Sequence, residues 1–275
     1  RPDGGTIGGQ YSMLQTAGWT SEEMVLDYQA GLSLDWPGNE ERVEELKEFL
    51  ATARLYDRIQ SQPEEQRPDV IQDPRYEAMR PYLNGEKRVF IEADSRKAIV
   101  EAILFAEEQE LKIVITGGTD AWKVADELKE REIPVIVGPT MRSPIAAWDP
   151  FDATYANPGR LYEAGVQFCI RSDNASNSRN ASFEAAIAVA YGLPEEEALK
   201  AVTLNAAGLL GIDDRLGSIT PGKVANLVIT DGSPLQPTTQ IKGVFVAGRP
   251  FAPESRQTRF YERYLQRLDE LPAAN

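Results

Sequence analysis

Histidine is absent from all 275 residues, and that absence restricts the chemistry of the chain more than any motif in it. Histidine is the commonest metal-ligating side chain and the usual acid–base near neutral pH. Without it, zinc has to be held by cysteine or carboxylate. Cysteine is almost absent too. Cys169 stands alone, so no disulfide forms within these residues and the redox compartment stays open. Catalysis would rest on carboxylates, hydroxyls, lysine, backbone amides or ligands from elsewhere. Long hydrophobic runs are also lacking. The longest, Ala185 to Ala190, is far short of the roughly 18 apolar residues of a membrane span. The opening Arg1-Pro2-Asp3-Gly4-Gly5 has no apolar signal core and no initiating methionine, and reads as an internal cut, a processed end or a fragment. The compartment, cytoplasmic or exported, stays undetermined. Positive charge is in deficit: 29 lysines and arginines face 43 acidic residues, for a net charge of −14. Nucleic acid and anionic membrane surfaces repel such a chain, and its simplest role is solubility.

What is present is regular in the middle of the chain. The glycine-rich opening reads as a loop leading into a short strand, with loop and strand again over 24–34. Asn39 caps a helix expected from Glu40 to about Gln60, and a shorter helix runs from Pro74 to Leu83 before the Asn84-Gly85 stop. From Val89 a rhythm sets in. Apolar strands at 89–91, 113–115, 134–137 and 166–170 alternate with helices at 95–109, 121–129 and 160–164, the last after a proline-rich loop over 138–158. Strands apolar throughout, each followed by a helix, are parallel and buried on both faces. Their spacing suits a barrel or a doubly wound sheet. Helices follow at 185–191 and 195–202. After Leu210 the pattern changes to short strands joined by turns, then a charged helix over 254–271.

The run Leu204-Asn205-Ala206-Ala207 through Leu209-Leu210-Gly211-Ile212-Asp213-Asp214-Arg215-Leu216-Gly217-Ser218-Ile219, with Pro221-Gly222-Lys223-Val224-Ala225-Asn226-Leu227-Val228, resembles the C-terminal region of the metal-dependent amidohydrolases, particularly the imidazolonepropionase-like group. Val246-Ala247-Gly248-Arg249 is similar to the family's closing strand and turn. The resemblance implies an α/β fold, a (β/α)8 TIM-like barrel lacking its first strands, with a small C-terminal β appendage. The implied division is a partial barrel over 1–210, a β-sandwich-like appendage over 211–252 and a helical tail over 253–275. It also implies hydrolysis of a non-peptide C–N bond, such as a cyclic amide, by water activated on zinc or another divalent metal.

In the family, two histidines lie on the first strand, one each on the fifth and sixth, and an aspartate on the eighth. By that resemblance Glu92 holds the fifth-strand slot, Thr119 the sixth-strand slot, and Asp173 the place of the aspartate. Asp173 is then the candidate proton shuttle and, with Glu92, a candidate metal ligand. Glu92 can equally pair with Arg171, and Thr119 suits an N-cap more than a ligand. Arg142, Arg171 and Arg179 are candidates to hold a substrate carboxylate. Cys169 is expected to be a buried, inert thiol, and Trp122 and Trp148 to be packing residues. Two functions follow: a hydrolase with a degenerate or absent metal centre, or a non-catalytic binding or scaffolding protein on the same fold. The expected partners are a small molecule and either a second copy or an upstream segment supplying strands to the open sheet.

Overall fold

The computed structural model describes residues 5–68, 72–172 and 174–270. The chain divides into two compact units, 1–218 and 219–275.

The first unit is built on a six-stranded sheet in sequential order. Strand β1 (Ile7–Leu14) pairs antiparallel with β2 (Val25–Asp35), and a single turn of helix, α1 (Ser21–Met24), lies between them. The opening was expected to be a loop leading into a short strand; an eight-residue strand forms from Ile7, its register broken by irregularities at Ile7/Gly9, Tyr11/Met13 and Met13/Leu14. A neighbouring strand satisfies the backbone of this stretch despite its low strand propensity. From β2 onward the pairing is parallel: β2 to β3 (Val89–Ala93), β4 (Ile113–Gly117), β5 (Val135–Val137) and β6 (Phe168–Ile170). Among the described residues β1 and β6 are the two ends of the sheet.

Successive side chains on these strands point to opposite faces. One face carries Phe90, Val114 and Cys169, which form a core cluster with Leu209. Register aligns Glu92 with Thr116, Thr116 with Ile136, and Ile136 with Cys169, so this face becomes polar towards the C-terminal strand ends. Gly31 is needed beneath it: a Cβ there would lie 2.1 Å from the Phe90 ring. The other face carries Ile91, Ile115, Val135 and Ile170, all buried, on the side of the helices.

Helix α2 (Glu40–Gln60) is capped by Asn39, whose side chain accepts from Arg42 N at 2.9 Å. It buries Leu46, Leu50, Ala53, Tyr56 and Gln60, a single stripe at helical spacing. Helix α3 (Pro74–Leu83) packs against it, capped by Asp73 with Pro74 in its first turn. Helices α4 (Arg96–Glu108), α5 (Ala125–Glu130), α6 (Ala153–Glu163), α7 (Ala181–Ala190), α8 (Glu195–Ala201) and α9 (Leu204–Leu209) complete the unit.

Helix α6 starts seven residues before the position read from the sequence, and Pro158 lies inside it. An internal proline costs a helix about 3 kcal/mol. Its neighbour Asn157 offsets this: the buried amide donates to Gly118 O at 2.8 Å and Thr119 O at 3.3 Å and accepts from Trp122 N at 3.1 Å. Trp148, expected to pack, is 87% exposed; the loop carrying it is tied down elsewhere, through Asp149 to Lys123 at 2.6 Å.

The second unit holds a three-stranded antiparallel sheet, β7 (Leu227–Thr230), β8 (Ile241–Val246) and β9 (Arg249–Phe251), and a final helix α10 (Arg256–Asp269). No described helix is long and apolar enough to cross a membrane.

Candidate functional site

Parallel α/β sheets place their chemistry at the C-terminal ends of the strands, where backbone groups are free of the ladder and loops converge. In this chain those ends gather charge. Glu92, on the last turn of β3's pleat, is gripped by Arg171 just beyond β6. Arg171 Nη2 donates to Glu92 Oε1 at 2.6 Å and Nη1 to Oε2 at 3.0 Å. Thr116 Oγ1, the register partner of Glu92 on β4, donates to Oε2 at 2.7 Å. Arg171 Nε donates in turn to Gly138 O at 3.1 Å, which locks the guanidinium across the sheet face. Burial works against the charge on Arg171, but the hydrogen bonds and the negative charge of Glu92, with Tyr11 and Asp94 further off, outweigh it and hold the guanidinium above its ordinary value.

Asp94, two residues beyond Glu92, turns to the same side. Thr119 donates to Asp94 Oδ1 through its backbone N at 3.2 Å and through its hydroxyl. Thr119 is thus not the helix cap that its position after Gly117-Gly118 suggested; a carboxylate from the neighbouring strand outcompetes the next turn for its hydroxyl. Gly117 makes room for both acids. Its φ is +85°, and a Cβ there would lie 2.8 Å from Asp94 Oδ1 and 3.1 Å from Glu92 Oε1. Arg142, in the loop after β5, approaches Asp94 Oδ2 at 3.5 Å.

That loop is fixed from behind. Glu184 of α7, only 3% exposed, accepts from Thr140 N at 2.6 Å and Met141 N at 2.9 Å, and its carboxylate lies 2.7 Å from Thr140 Oγ1. Next to this clamp opens a cavity of about 430 Å³ lined by Pro139, Met141, Arg142, Asn177, Asn180 and Glu184. Arg142 therefore faces a small-molecule-sized space. Arg171 is committed to Glu92, and Arg179 is exposed on the 3-10 turn over 175–180 and is not among the lining residues. Asp173 lies outside the described residues. Cys169 is buried, and burial pushes its thiol up to about 12.

The donor set answers whether a divalent ion fits the fifth- and sixth-strand slots. Both oxygens of Glu92 already bear a guanidinium, and the hydroxyl of Thr119 points its hydrogen at Asp94. Among the described residues no group of three acidic or cysteine side chains is arranged to hold a metal. A second cation at Glu92 would have to displace Arg171 or meet it at a few ångströms, where like charges repel by about 4 kcal/mol even in a partly hydrated site. In this arrangement the Glu92 carboxylate is engaged by Arg171 and the Thr119 hydroxyl by Asp94.

Three residues of this cluster escaped the sequence reading: Asp94, Thr116 and Glu184. Asp94 and Thr116 carried a usable signal, since strand alternation puts 92 with 94 and 114 with 116. Glu184 carried none, because its partners are backbone groups 43 and 44 residues away.

Comparison with known proteins adds to this geometry. A family model described as the amidohydrolase family matches residues 93–251. The imidazolonepropionase of Picrophilus torridus is 40% identical over 91 residues, 32% of this chain and 23% of that protein. The imidazolonepropionase of Thermoplasma volcanium is 37% identical over 83 residues, 29% and 20% respectively. The matches thus span less than a quarter of these curated relatives. A solved amidohydrolase from Thermotoga maritima superposes with a TM-score of 0.82 at 27% identity, covering 90% of this chain and 69% of its own. A second solved amidohydrolase gives 0.51 at 22% identity over 64% of this chain and 47% of its own, a likeness of fold alone.

Proposed function

The chain belongs to the amidohydrolase family, and from that premise we propose that its barrel binds a small polar molecule without building a metal centre at the fifth- and sixth-strand slots. The observation that carries this reading is the two-pronged Arg171–Glu92 pair. A guanidinium laid flat on the carboxylate supplies a fixed positive charge where a ligand carboxylate would otherwise await a metal. Zinc or another divalent ion, if the whole protein holds one, takes its ligands from other residues.

The cavity beside Arg142 gives the ligand its place. One half-exposed guanidinium and the amides of Asn177 and Asn180 suit a compact molecule with a carboxylate or carbonyl group, oriented by charge-assisted hydrogen bonds. With a net charge of −14, nucleic acids and anionic membranes are poor partners for this chain. In this reading the protein is a non-catalytic binding member of its family.

A second reading has its own support in the 27% identity to the Thermotoga maritima amidohydrolase across 90% of the chain. It keeps hydrolysis of a non-peptide C–N bond, with Asp173 passing a proton to the leaving nitrogen. Zinc analysis of the purified full-length protein after dialysis, paired with a panel of cyclic amides, separates the two. Binding without hydrolysis is expected to give substoichiometric zinc, no turnover above buffer, and calorimetric binding of small carboxylates that Arg142→Ala weakens about tenfold. One tightly held zinc per chain, with turnover that disappears in Asp173→Asn, would overturn it.

A further inference from the structure

Glu184 is a buried carboxylate with an oxygen to spare. It is 3% exposed, and the donors that reach its carboxylate all meet Oε2: Thr140 N at 2.6 Å, Met141 N at 2.9 Å and the Thr140 hydroxyl at 2.7 Å. Its place in the first turn of α7 adds the positive end of that helix. These contacts make burial of the carboxylate tolerable, but they occupy only one side of it. Oε1 accepts from no described residue, and no described lysine or arginine lies at ion-pair distance from either oxygen. A buried carboxylate is normally paired with a cation as well as hydrogen-bonded, because an unmet oxygen keeps its desolvation cost.

The spare oxygen opens on the cavity of about 430 Å³ beside Arg142. Glu184 lines that cavity, and Oε1 is not among the atoms sealed away without a partner. The opposite charge is present in the same wall. Arg142 is fixed through its backbone, whose carbonyl accepts from Thr154 Oγ1 at 2.5 Å, while its guanidinium is only loosely engaged, 3.5 Å from Asp94. Asn177 and Asn180 add side-chain amides that bond to no described residue. Glu184 is the one acid in the lining and no cysteine accompanies it, so a metal ion would lack ligands there. An organic cation needs only the one carboxylate and a few neutral acceptors.

We propose that Glu184 is the cation-binding half of this site and that the ligand is amino-acid-like, with an ammonium on Glu184 Oε1 and a carboxylate on Arg142. The carboxylate half rests on the reading of Arg142 given above; the ammonium half rests on Glu184 alone. The ammonium brings the charge that the protein does not supply to Glu184, and the Asn177 and Asn180 carbonyls are free to accept its remaining hydrogens. Two fixed charges of opposite sign in one small cavity also set the orientation of the ligand, and they discriminate against a plain acid, which would leave Glu184 without a cation.

Calorimetric titration of the full chain near pH 7, where both ligand groups are charged, tests this with matched pairs: acetate against glycine, propionate against β-alanine, butyrate against 4-aminobutyrate. In at least one pair the amino acid is expected to bind about tenfold more tightly than the acid. That comparison needs no variant. Glu184→Gln keeps an oxygen for the N–H groups of Thr140 and Met141 and replaces the charge with an amide; within this variant the gap between the two members of the pair should close. A merely structural role for Glu184 would weaken both members together and leave their ratio as it was, which would overturn the proposal. Acids that bind the parent as tightly as their amino counterparts overturn it too: Oε1 then holds water, and the Arg142 reading stands. Propylamine, which has no carboxylate, reads the Glu184 half by itself. If it binds and is lost in Glu184→Gln while no acid responds to Arg142→Ala, the Arg142 reading fails and the cation site is upheld. If no probe binds, both fall.

Discussion

Removing Arg171 tests the central argument about this barrel, that a guanidinium has become the obligate partner of Glu92. In Arg171→Met the side chain keeps much of its length and loses its charge. Glu92, 20% exposed, keeps the Thr116 hydroxyl at 2.7 Å. Breaking a buried pair by deleting one partner costs about 3–5 kcal/mol, because the survivor stays desolvated and uncompensated. Residual solvent at this site places the cost at the lower end, about 3 kcal/mol. For a unit of this size each kcal/mol moves the midpoint by roughly 2–4 °C, so a fall of roughly 6–12 °C is expected. Glu92→Met removes the other partner and should cost similarly, since Arg171 is 26% exposed and would keep its hydrogen bond to Gly138 O without a carboxylate against its fork. The double variant carries no orphaned charge and should return to within about 1 kcal/mol of the parent. Urea unfolding followed by far-ultraviolet circular dichroism gives all four corners of this cycle. Because Glu92 holds the Arg171 value above its ordinary range, the pair's contribution from Arg171 is fully present below that range and is lost only as pH rises through the higher folded value. The cost of Arg171→Met should therefore be flat from about pH 6 to about pH 9. Single variants that cost less than about 1 kcal/mol, or a double variant as unstable as their sum, would refute the reasoning.

Three further outcomes follow from the packing. Cys169, whose thiol burial pushes up from 9.0 to about 12, should resist a disulfide reagent at pH 8 in the native state and react once unfolded in urea. Its contribution to stability is complete below 9.0 and is lost as pH rises towards 12, so Cys169→Ala should flatten the alkaline limb of a stability–pH curve. Gly31→Ala drives a methyl to 2.1 Å from the ring of Phe90, which is 4% exposed; a loss of about 2–3 kcal/mol in urea unfolding is expected, and a loss under about 0.5 kcal/mol would contradict the close packing of β2 on β3. Glu184→Ala orphans two backbone N–H groups at Thr140 and Met141, a loss of about 2–3 kcal/mol, and should speed amide exchange at those two positions, whereas Glu184→Gln should preserve most of their protection.

The βα rhythm was readable from sequence because buried parallel strands are apolar on both faces and leave short apolar runs that recur between amphipathic helices. The start of α6 was not, because its proline-rich sequence is overruled by the three contacts of Asn157, made to residues more than thirty positions away. The antiparallel pairing of β1 with β2 was hidden for the same kind of reason: a short strand was readable in each segment, while their pairing is decided only in three dimensions.

The site followed the same division. By the family resemblance Glu92 was expected in a ligand slot, with Arg171 as its alternative partner, and sequence alone did not choose between an ion and an arginine. The choice is made by the register of the sheet. Cys169 sits level with Ile136, Ile136 with Thr116 and Thr116 with Glu92, so residue 171 is one pleat above Glu92 on the same face, three strands away. A side chain that spans that gap and ends in two parallel donors meets both carboxylate oxygens; lysine, with a single ammonium, would meet one. Arg171→Lys, which keeps the charge and loses the fork, should recover less than half of the stability lost in Arg171→Met. Recovery to the parent value in the same urea assay would show that charge alone, and not the two-pronged geometry, holds Glu92.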